Sequence, residues 1–217
     1  SYHLLKMPGD GHLEVTTELG EKFEFDVRFG KPRRFKVYLV PTVHTDWGYT
    51  APQDQVAEIH RKNTETGLQL ASRGVKWVAE VIYQMVGHRD DPAIREQNAR
   101  GFFGIQALPL NVLIGLCSHE ELIRLLYPAA ELRKKGYRIK VAALNDIPTA
   151  PWGLVTALAD AGIPYYIQGS NPDRGPLHAN GNIRSPFYWV GPGGKKVLAW
   201  FSGGYDGLLF GFNGYHQ

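Results

Sequence analysis

The sequence predicts an α/β fold with a mainly parallel sheet, preceded by a short β-rich segment. From residue 35 onward, predicted strands alternate with predicted helices of about 10–20 residues, which is typical of β–α–β units. The 217 residues include 25 glycines and 14 prolines, an excess that indicates many turns and loops. We therefore expect two parts, a β-rich segment at residues 1–34 and an α/β domain at residues 35–217.

The β-rich segment is predicted from alternating polar and apolar residues. Residues 14–17 and 22–28 alternate in this way, and Gly20 lies between them. Alternation places every second side chain on the same face of a strand. The segment is therefore expected to be a hairpin or the tail of a preceding β domain.

The α/β domain opens with an apolar run at residues 35–43, which reads FKVYLVPTV. Such a run predicts a strand buried on both faces. A helix is expected to follow, with Thr50 as its N-cap and Pro52 in its first turn. Gln53 would complete a capping box with Thr50.

The later elements are predicted from the same apolar periodicities and from turn residues. Ser118 and Glu121 form a second capping box. The predicted strands are residues 75–85, 102–116 (with a loop around Asn111), 138–144 and 165–168, and the predicted helices are residues 92–100, 118–136 and 151–161. A late hairpin is expected from residues 187–189 and 196–201 around a glycine-rich turn.

Composition excludes several classes of function. Lysine plus arginine exceed aspartate plus glutamate by 24 − 21 = 3 charges, without the basic patch of a nucleic-acid-binding protein. No apolar stretch approaches the roughly 18–20 residues of a membrane span. One cysteine, Cys117, excludes an internal disulfide. The sequence begins at Ser1, which leaves open whether a signal peptide was removed or another domain lies upstream. The compartment is undetermined.

The loop after the first predicted strand contains a possible metal-binding pair. His44 and Asp46 are two residues apart, so in extended backbone their side chains point the same way. An imidazole nitrogen and a carboxylate oxygen at this spacing form half of a zinc-type site. The alternative is a loop histidine bonded to an aspartate that caps a helix.

A second candidate lies at the end of the strand predicted at residues 138–144. Asp146 follows this strand directly, and the carboxyl ends of parallel strands gather at one edge of the sheet. His44, Asp46 and Asp146 together would supply three ligands of a metal site. An ordinary turn or helix-capping aspartate is the alternative reading of Asp146.

Other side chains could contact a ligand. Asn111 follows another predicted strand and could donate or accept a hydrogen bond, although loop asparagines usually stabilise turns. Trp47, Tyr49 and Tyr205 could stack on a sugar ring, or simply pack against the core or its rim. Asp206 lies in a glycine-rich region near the end of the sequence.

Four segments then carry a family resemblance. In order, they read VPTVHTDWGYT, SHEELIRLLYPAAELRKKG, NDIPTAPWGLVTALADAGIPYYIQGSN and SPFYWVGPGGKKVLAWFSGGYDG. Together they resemble glycoside hydrolase family 38, the retaining α-mannosidases, over residues 35–207. The resemblance implies a seven-stranded β/α barrel of the glycoside hydrolase and deacetylase type.

The resemblance also implies roles for individual residues. His44 and Asp46 would bind Zn²⁺ or another divalent metal, and Asp146 would be both a metal ligand and the catalytic nucleophile. Tyr205 and Asp206 would contact the sugar. With Trp47, Tyr49 and Asn111, they make up the expected substrate-binding set for an α-mannoside or another α-glycoside.

The sequence departs from the family pattern at several positions around the expected sugar pocket. Tyr49 stands where the α-mannosidases carry tryptophan, Pro148 where an aromatic residue usually follows the nucleophile, and Gly193 where an aspartate is expected. These departures leave the sugar specificity open. The fourth metal ligand and the general acid of the family lie farther along than this sequence, so the remainder of a longer polypeptide is expected to complete the site.

Two other functions fit the same fold. One is a metal-dependent polysaccharide deacetylase, which uses a metal-activated water instead of a carboxylate nucleophile. The other is a carbohydrate-binding relative that has lost catalysis. The sequence does not decide whether the protein forms a homo-oligomer.

Overall fold

A computed structural model describes residues 9–30, 36, 41–171 and 186–202, and the chain divides into two compact units, Ser1–Leu39 and Val40–Gln217. The first unit contains an antiparallel hairpin of β1 (Gly9–Thr16) and β2 (Lys22–Phe29). Gly20 in the connecting turn has a positive φ of 79°, which glycine adopts without steric cost. The boundary between segments expected at residues 34 and 35 stays a prediction.

The second unit alternates short strands with helices. Its strands are β3 (Trp77–Ala79), β4 (Phe103–Ile105), β5 (Val141–Asp146), β6 (Tyr165–Ser170), β7 (Phe187–Val190) and β8 (Lys196–Ser202). Its helices are α1 (Gln53–Ser72), α2 (Pro92–Arg100), α3 (His119–Arg124), α4 (Tyr127–Lys134) and α5 (Gly153–Asp160). No helix in the described ranges combines the length and apolar character that crossing a bilayer requires.

The strands of the second unit pair mostly in parallel. β3 pairs with β4, and β5, β6 and β8 form a parallel ladder with β7 antiparallel on its outer edge. One isolated parallel bridge, between Gln106 and Val141, joins the two sheets in the described part of the chain. The described strands close no ring, and the seven-stranded barrel stays a prediction.

The first predicted strand, residues 35–43, is only partly visible. Phe35 and residues 37–40 lie outside the described residues, and residues 41–43 belong to no strand. They do lie beside β3, because the Val78 amide donates to the Pro41 carbonyl and the Thr42 hydroxyl donates to the Val78 carbonyl. This segment therefore places the loop that begins at His44 beside the edge of β3.

The predicted start of α1 is wrong by two residues. Pro52, not Thr50, is the N-cap, and no side chain caps the helix. Had Thr50 been the N-cap, Ala51 would have been the first helical residue, yet a residue before proline avoids the helical region. The predicted capping box with Gln53 therefore does not form.

The predicted helix at residues 92–100 is confirmed as α2. Asp91 caps it by accepting a hydrogen bond from the Ala93 amide, Pro92 occupies its first position, and Gly101 ends it in the left-handed conformation. All of these signals are local, so they act regardless of what packs against the helix.

The capping box of Ser118 and Glu121 is confirmed at the start of α3, but the helix predicted at residues 118–136 divides into α3 and α4. Pro128 lies in the first turn of α4. A proline inside one continuous helix would remove a backbone donor and clash with the carbonyl four residues earlier. Dividing the helix avoids both costs.

Two long predicted strands are much shorter in the structure. The strand predicted at residues 75–85 is β3 followed by a 3₁₀ turn, Ile82–Met85, and the strand predicted at residues 102–116 is β4 followed by a 3₁₀ turn, Ile114–Leu116. In both cases the chain turns away from the sheet, and some of its apolar side chains are buried in the core instead. Ile82, Met85 and Ile114 are fully buried.

Candidate metal centre

His44 and Asp46 lie in the loop that leaves the edge of β3, and both side chains are partly buried. The Nε2 atom of His44 is 3.6 Å from Oδ1 of Asp46. Gln84 donates from Nε2 to the carbonyl of Val43 over 2.7 Å, which holds the backbone just before His44. The two side chains predicted to face one point therefore do so.

Asp146 is the last residue of β5 and pairs in register with Ser170 at the end of β6. Its φ is 66°, in the left-handed region, which aspartate tolerates better than most residues but still at a cost. Non-glycine residues in this region often occur at functional sites, where the surrounding structure holds them. The conformation turns the chain sharply at the carboxyl edge of the sheet.

The three predicted ligands come together. One ligand atom each from His44, Asp46 and Asp146 lies within 4.8 Å of the other two. One imidazole nitrogen and two carboxylate oxygens are a donor set that suits zinc and leaves coordination positions for substrate. The residues present therefore fit a divalent metal ion.

Glu80 is a part of this site that the sequence analysis missed. It follows β3 directly, its side chain is 3% exposed, and its Oε1 atom lies 2.8 Å from Nδ1 of His44. Asn145, the neighbour of Asp146, donates from Nδ2 to the same oxygen over 2.7 Å. The rule that strand ends carry the chemistry would have found Glu80, but the overlong strand predicted at residues 75–85 placed it inside a strand.

The charges around His44 favour its protonated form in the metal-free site. Burial alone lowers the pKa of His44, but the hydrogen bond and charge of Glu80 outweigh it, with further help from the carboxylates of Asp46 and Asp146. The pKa of His44 is therefore raised above its ordinary value. A metal ion bound at Nε2 of His44 would replace the proton that this atom carries in the charged ring.

A cleft of about 230 Å³ opens at the three ligands. Trp47, Tyr49 and Asn111 all line it, as does the buried His60. Tyr49 is 83% exposed, which leaves its ring accessible. The two other predicted substrate residues, Tyr205 and Asp206, lie outside the described residues.

Trp47 and Asn111 also hold the walls of this cleft together. The Trp47 ring stacks on His60 with centroids 5.6 Å apart, and meets Tyr83 edge-on at 4.4 Å. Oδ1 of Asn111 accepts a hydrogen bond from the backbone N–H of Asn145 over 3.1 Å. Both residues therefore have a packing or anchoring role whether or not they contact a sugar.

A larger groove of about 680 Å³ lies elsewhere, between α3, α4, α5 and the turn that joins β7 to β8. Its lining is mainly apolar and includes Leu122, Leu126 and Ala157. No group of metal-ligating side chains among the described residues lies there. The chemistry-bearing side chains are in the smaller cleft.

Comparison with solved structures finds similar folds in carbohydrate-active enzymes. An α-mannosidase from Enterococcus faecalis V583 matches with a TM-score of 0.57 and 15% identity, covering 74% of this chain and 19% of that chain. A protein in glycosyl hydrolase family 38 from Enterococcus faecalis matches with a TM-score of 0.50 and 16% identity, covering 74% and 18%. A 4-α-glucanotransferase from Thermococcus litoralis matches with a TM-score of 0.50 and 16% identity, covering 68% and 25%.

These likenesses concern the fold alone. The chain spans a quarter or less of the length of each of these solved structures. No protein-family model and no curated protein matches the sequence. The likeness in fold and the metal-ligand triad are therefore two separate observations.

Proposed function

We propose that this chain contributes the metal centre and the nucleophile of a zinc-dependent retaining glycoside hydrolase, of the α-mannosidase type. The observation that carries the proposal is the convergence of His44, Asp46 and Asp146 in one cleft at the carboxyl ends of the strands. The likeness in fold to an α-mannosidase and to a family 38 protein supports it.

Asp146 is the proposed nucleophile. Its carboxylate attacks the anomeric carbon as the glycosidic bond breaks, and the aglycone leaves as an alcohol after taking a proton from the acid–base carboxylate. Water deprotonated by that same carboxylate then hydrolyses the glycosyl ester and frees Asp146. Asn171 donates from Nδ2 to Oδ1 of Asp146 over 2.7 Å, which orients the carboxylate. The acid–base carboxylate and a fourth metal ligand are not among the residues assigned here. We expect residues outside the four family-like segments to supply both.

His44, Asp46 and Asp146 would hold the metal. A bound zinc ion supplies a template for the vicinal hydroxyls of the sugar and a positive charge beside the reacting centre. The partly buried ligand side chains limit access of water to this point. Tyr49 offers an exposed ring at the mouth of the cleft, on which a sugar ring can stack.

The experiment is an assay of the full-length protein on a panel of aryl α-glycosides, with and without a chelator, together with metal analysis. We expect turnover of at least one α-glycoside, its loss with the chelator, and its recovery with zinc. No turnover across the panel by zinc-loaded protein would overturn the hydrolase proposal.

Two further measurements separate the two alternatives. Release of acetate from an acetylated polysaccharide without glycosidic cleavage identifies a deacetylase. Calorimetric binding of a sugar with no reaction of either kind identifies a carbohydrate-binding relative. Both outcomes leave the metal centre intact but reject Asp146 as a nucleophile.

A further inference from the structure

Glu80 connects the two strand ends that carry the proposed metal ligands. Its Oε1 atom contacts Nδ1 of His44 at 2.8 Å on one side and Nδ2 of Asn145 at 2.7 Å on the other. Asn145 immediately precedes Asp146 at the end of β5. One buried oxygen of Glu80 therefore contacts both the proposed ligand His44 and Asn145, the neighbour of the proposed ligand Asp146.

The position of Glu80 is itself fixed. Its backbone amide donates to Oε1 of Gln84 over 2.8 Å, and Nε2 of Gln84 donates to the carbonyl of Val43 over 2.7 Å. Gln84 is buried in the 3₁₀ turn that follows β3. One amide side chain thus ties the backbone of Glu80 to the backbone just before His44.

The hydrogen bond to Glu80 determines which nitrogen of His44 faces the proposed metal. Asn145 donates to Oε1 of Glu80, so this oxygen acts as an acceptor, and Nδ1 of His44 is the donor toward it. In the neutral ring the hydrogen then resides on Nδ1, and Nε2, the atom that faces Asp46, carries the lone pair. A metal can bind only a nitrogen that carries a lone pair.

We propose that Glu80 is a positioning residue of the metal centre: it holds His44 in the Nδ1–H form with Nε2 directed at the metal and, through Asn145, sets the end of β5 against the loop of His44. This inference rests on the metal centre proposed above. Carboxylates that accept from the second nitrogen of a metal-binding histidine act in this way, and their removal typically weakens metal affinity by about 10–100-fold.

The first test needs no metal and reads the tautomer of the unmodified protein directly. The full-length protein, labelled with ¹⁵N in its histidine rings and kept metal-free at a pH where His44 is neutral, is examined by two-bond ¹H–¹⁵N correlation. We expect the Nδ1–H form of His44, with the assignment made from the spectrum of His44→Gln. The Nε2–H form would overturn the inference.

The second test measures zinc affinity by competition with a chromophoric chelator. Glu80→Gln keeps the size and shape of the side chain and removes its charge, so we expect zinc binding about 10–100-fold weaker than in the unmodified protein. Glu80→Gln should also shift His44 toward the Nε2–H form. Glu96→Gln, an exposed change on α2, is the matched control and should leave both the affinity and the tautomer unchanged.

The outcomes distinguish this inference from the proposed function. If the unmodified protein binds zinc and Glu80→Gln binds it equally well, Glu80 is not a positioning residue, and the metal centre stands. If the unmodified protein retains no zinc, the metal centre itself fails. Zinc binding that is weakened in Glu80→Gln with an unchanged tautomer would assign Glu80 a merely structural role and overturn the inference.

Discussion

Asn171 donates a hydrogen bond from Nδ2 to Oδ1 of Asp146 over 2.7 Å, so the residue just past the end of β6 holds the carboxylate at the end of β5. β5 and β6 are paired neighbours, and Asp146 lies opposite Ser170 in their register. The carboxylate is therefore fixed from the adjacent strand as well as by its own backbone. This arrangement makes several effects of substitution predictable.

Removal of a metal ligand should cost more than removal of a nearby carboxylate. We expect His44→Ala and Asp46→Ala to abolish zinc retention after gel filtration, measured by atomic emission. Asp54→Ala, in the exposed first turn of α1, is the control and should retain zinc. Undiminished zinc in His44→Ala would reject the ligand assignment.

Asp146→Asn should separate the ligand role of Asp146 from its role as nucleophile. The amide oxygen can still coordinate the metal and accept from Asn171, but it cannot form a glycosyl ester. We expect part of the zinc to be retained and kcat to fall far more than KM changes. A 2-fluoro or 5-fluoro glycosyl donor should label Asp146 in the unmodified protein, and labelling of another carboxylate would reject the assignment.

The positive φ of Asp146 predicts a difference between two substitutions that both remove the carboxylate. Alanine at a φ of 66° bears a steric cost that glycine avoids. We expect Asp146→Gly to be about 1 kcal/mol more stable than Asp146→Ala in urea unfolding of the metal-free protein. Equal stability would mean that the backbone relaxes out of the left-handed region when the carboxylate is absent.

Trp47 and Tyr49 should respond differently to truncation, although both line the cleft. Trp47→Ala loses the stack on His60 and the edge contact with Tyr83, and we expect it to lower the free energy of unfolding by roughly 1–3 kcal/mol. Tyr49→Ala, at an 83% exposed position, should change it by less than about 0.5 kcal/mol. Urea unfolding of both variants makes the comparison, and a large loss of stability in Tyr49→Ala would contradict the exposed position of its ring.

Gly67 of α1 lies against the ring of Trp77 in β3. A β-carbon added at Gly67 would lie 2.5 Å from the Trp77 ring, so Gly67→Ala forces the core apart. Alanine gains about 1 kcal/mol of helix propensity over glycine, but overpacking a core typically costs about 1–3 kcal/mol. We expect net destabilisation in thermal unfolding, while Thr66→Ala at the adjacent exposed position should be neutral or stabilising.

Most features that local chemistry determines could be predicted from the sequence, although the cap expected at Thr50 was not, because Pro52 displaces it. The capping box of Ser118 and Glu121 and the termini of α2 depend on residues within one turn of each other, and both form as predicted. The convergence of the metal-ligand triad followed from a general property of parallel strands, namely that their carboxyl ends share one edge.

The features that depend on packing could not be predicted in the same way. Residues 75–85 are apolar enough for a long strand, yet the chain leaves the sheet after Ala79 and buries Ile82 and Met85 in a 3₁₀ turn. Periodicity does not distinguish an apolar strand from an apolar turn that fills the core. Glu80 was missed for this reason.

The isolated bridge between Gln106 and Val141 joins the two sheets of the second unit, and a bound ion would connect the same two sheets. β3 and the loop of His44 lie on one side of this bridge, and β5 with Asp146 lies on the other. An ion bound by both His44 and Asp146 would link the two sides. Amide hydrogen exchange near Ala107, which donates to the Val141 carbonyl, should then slow when the ion binds. The ion would thus add a second link beside the hydrogen bond from Asn145 to Glu80, which already connects the same two sheets.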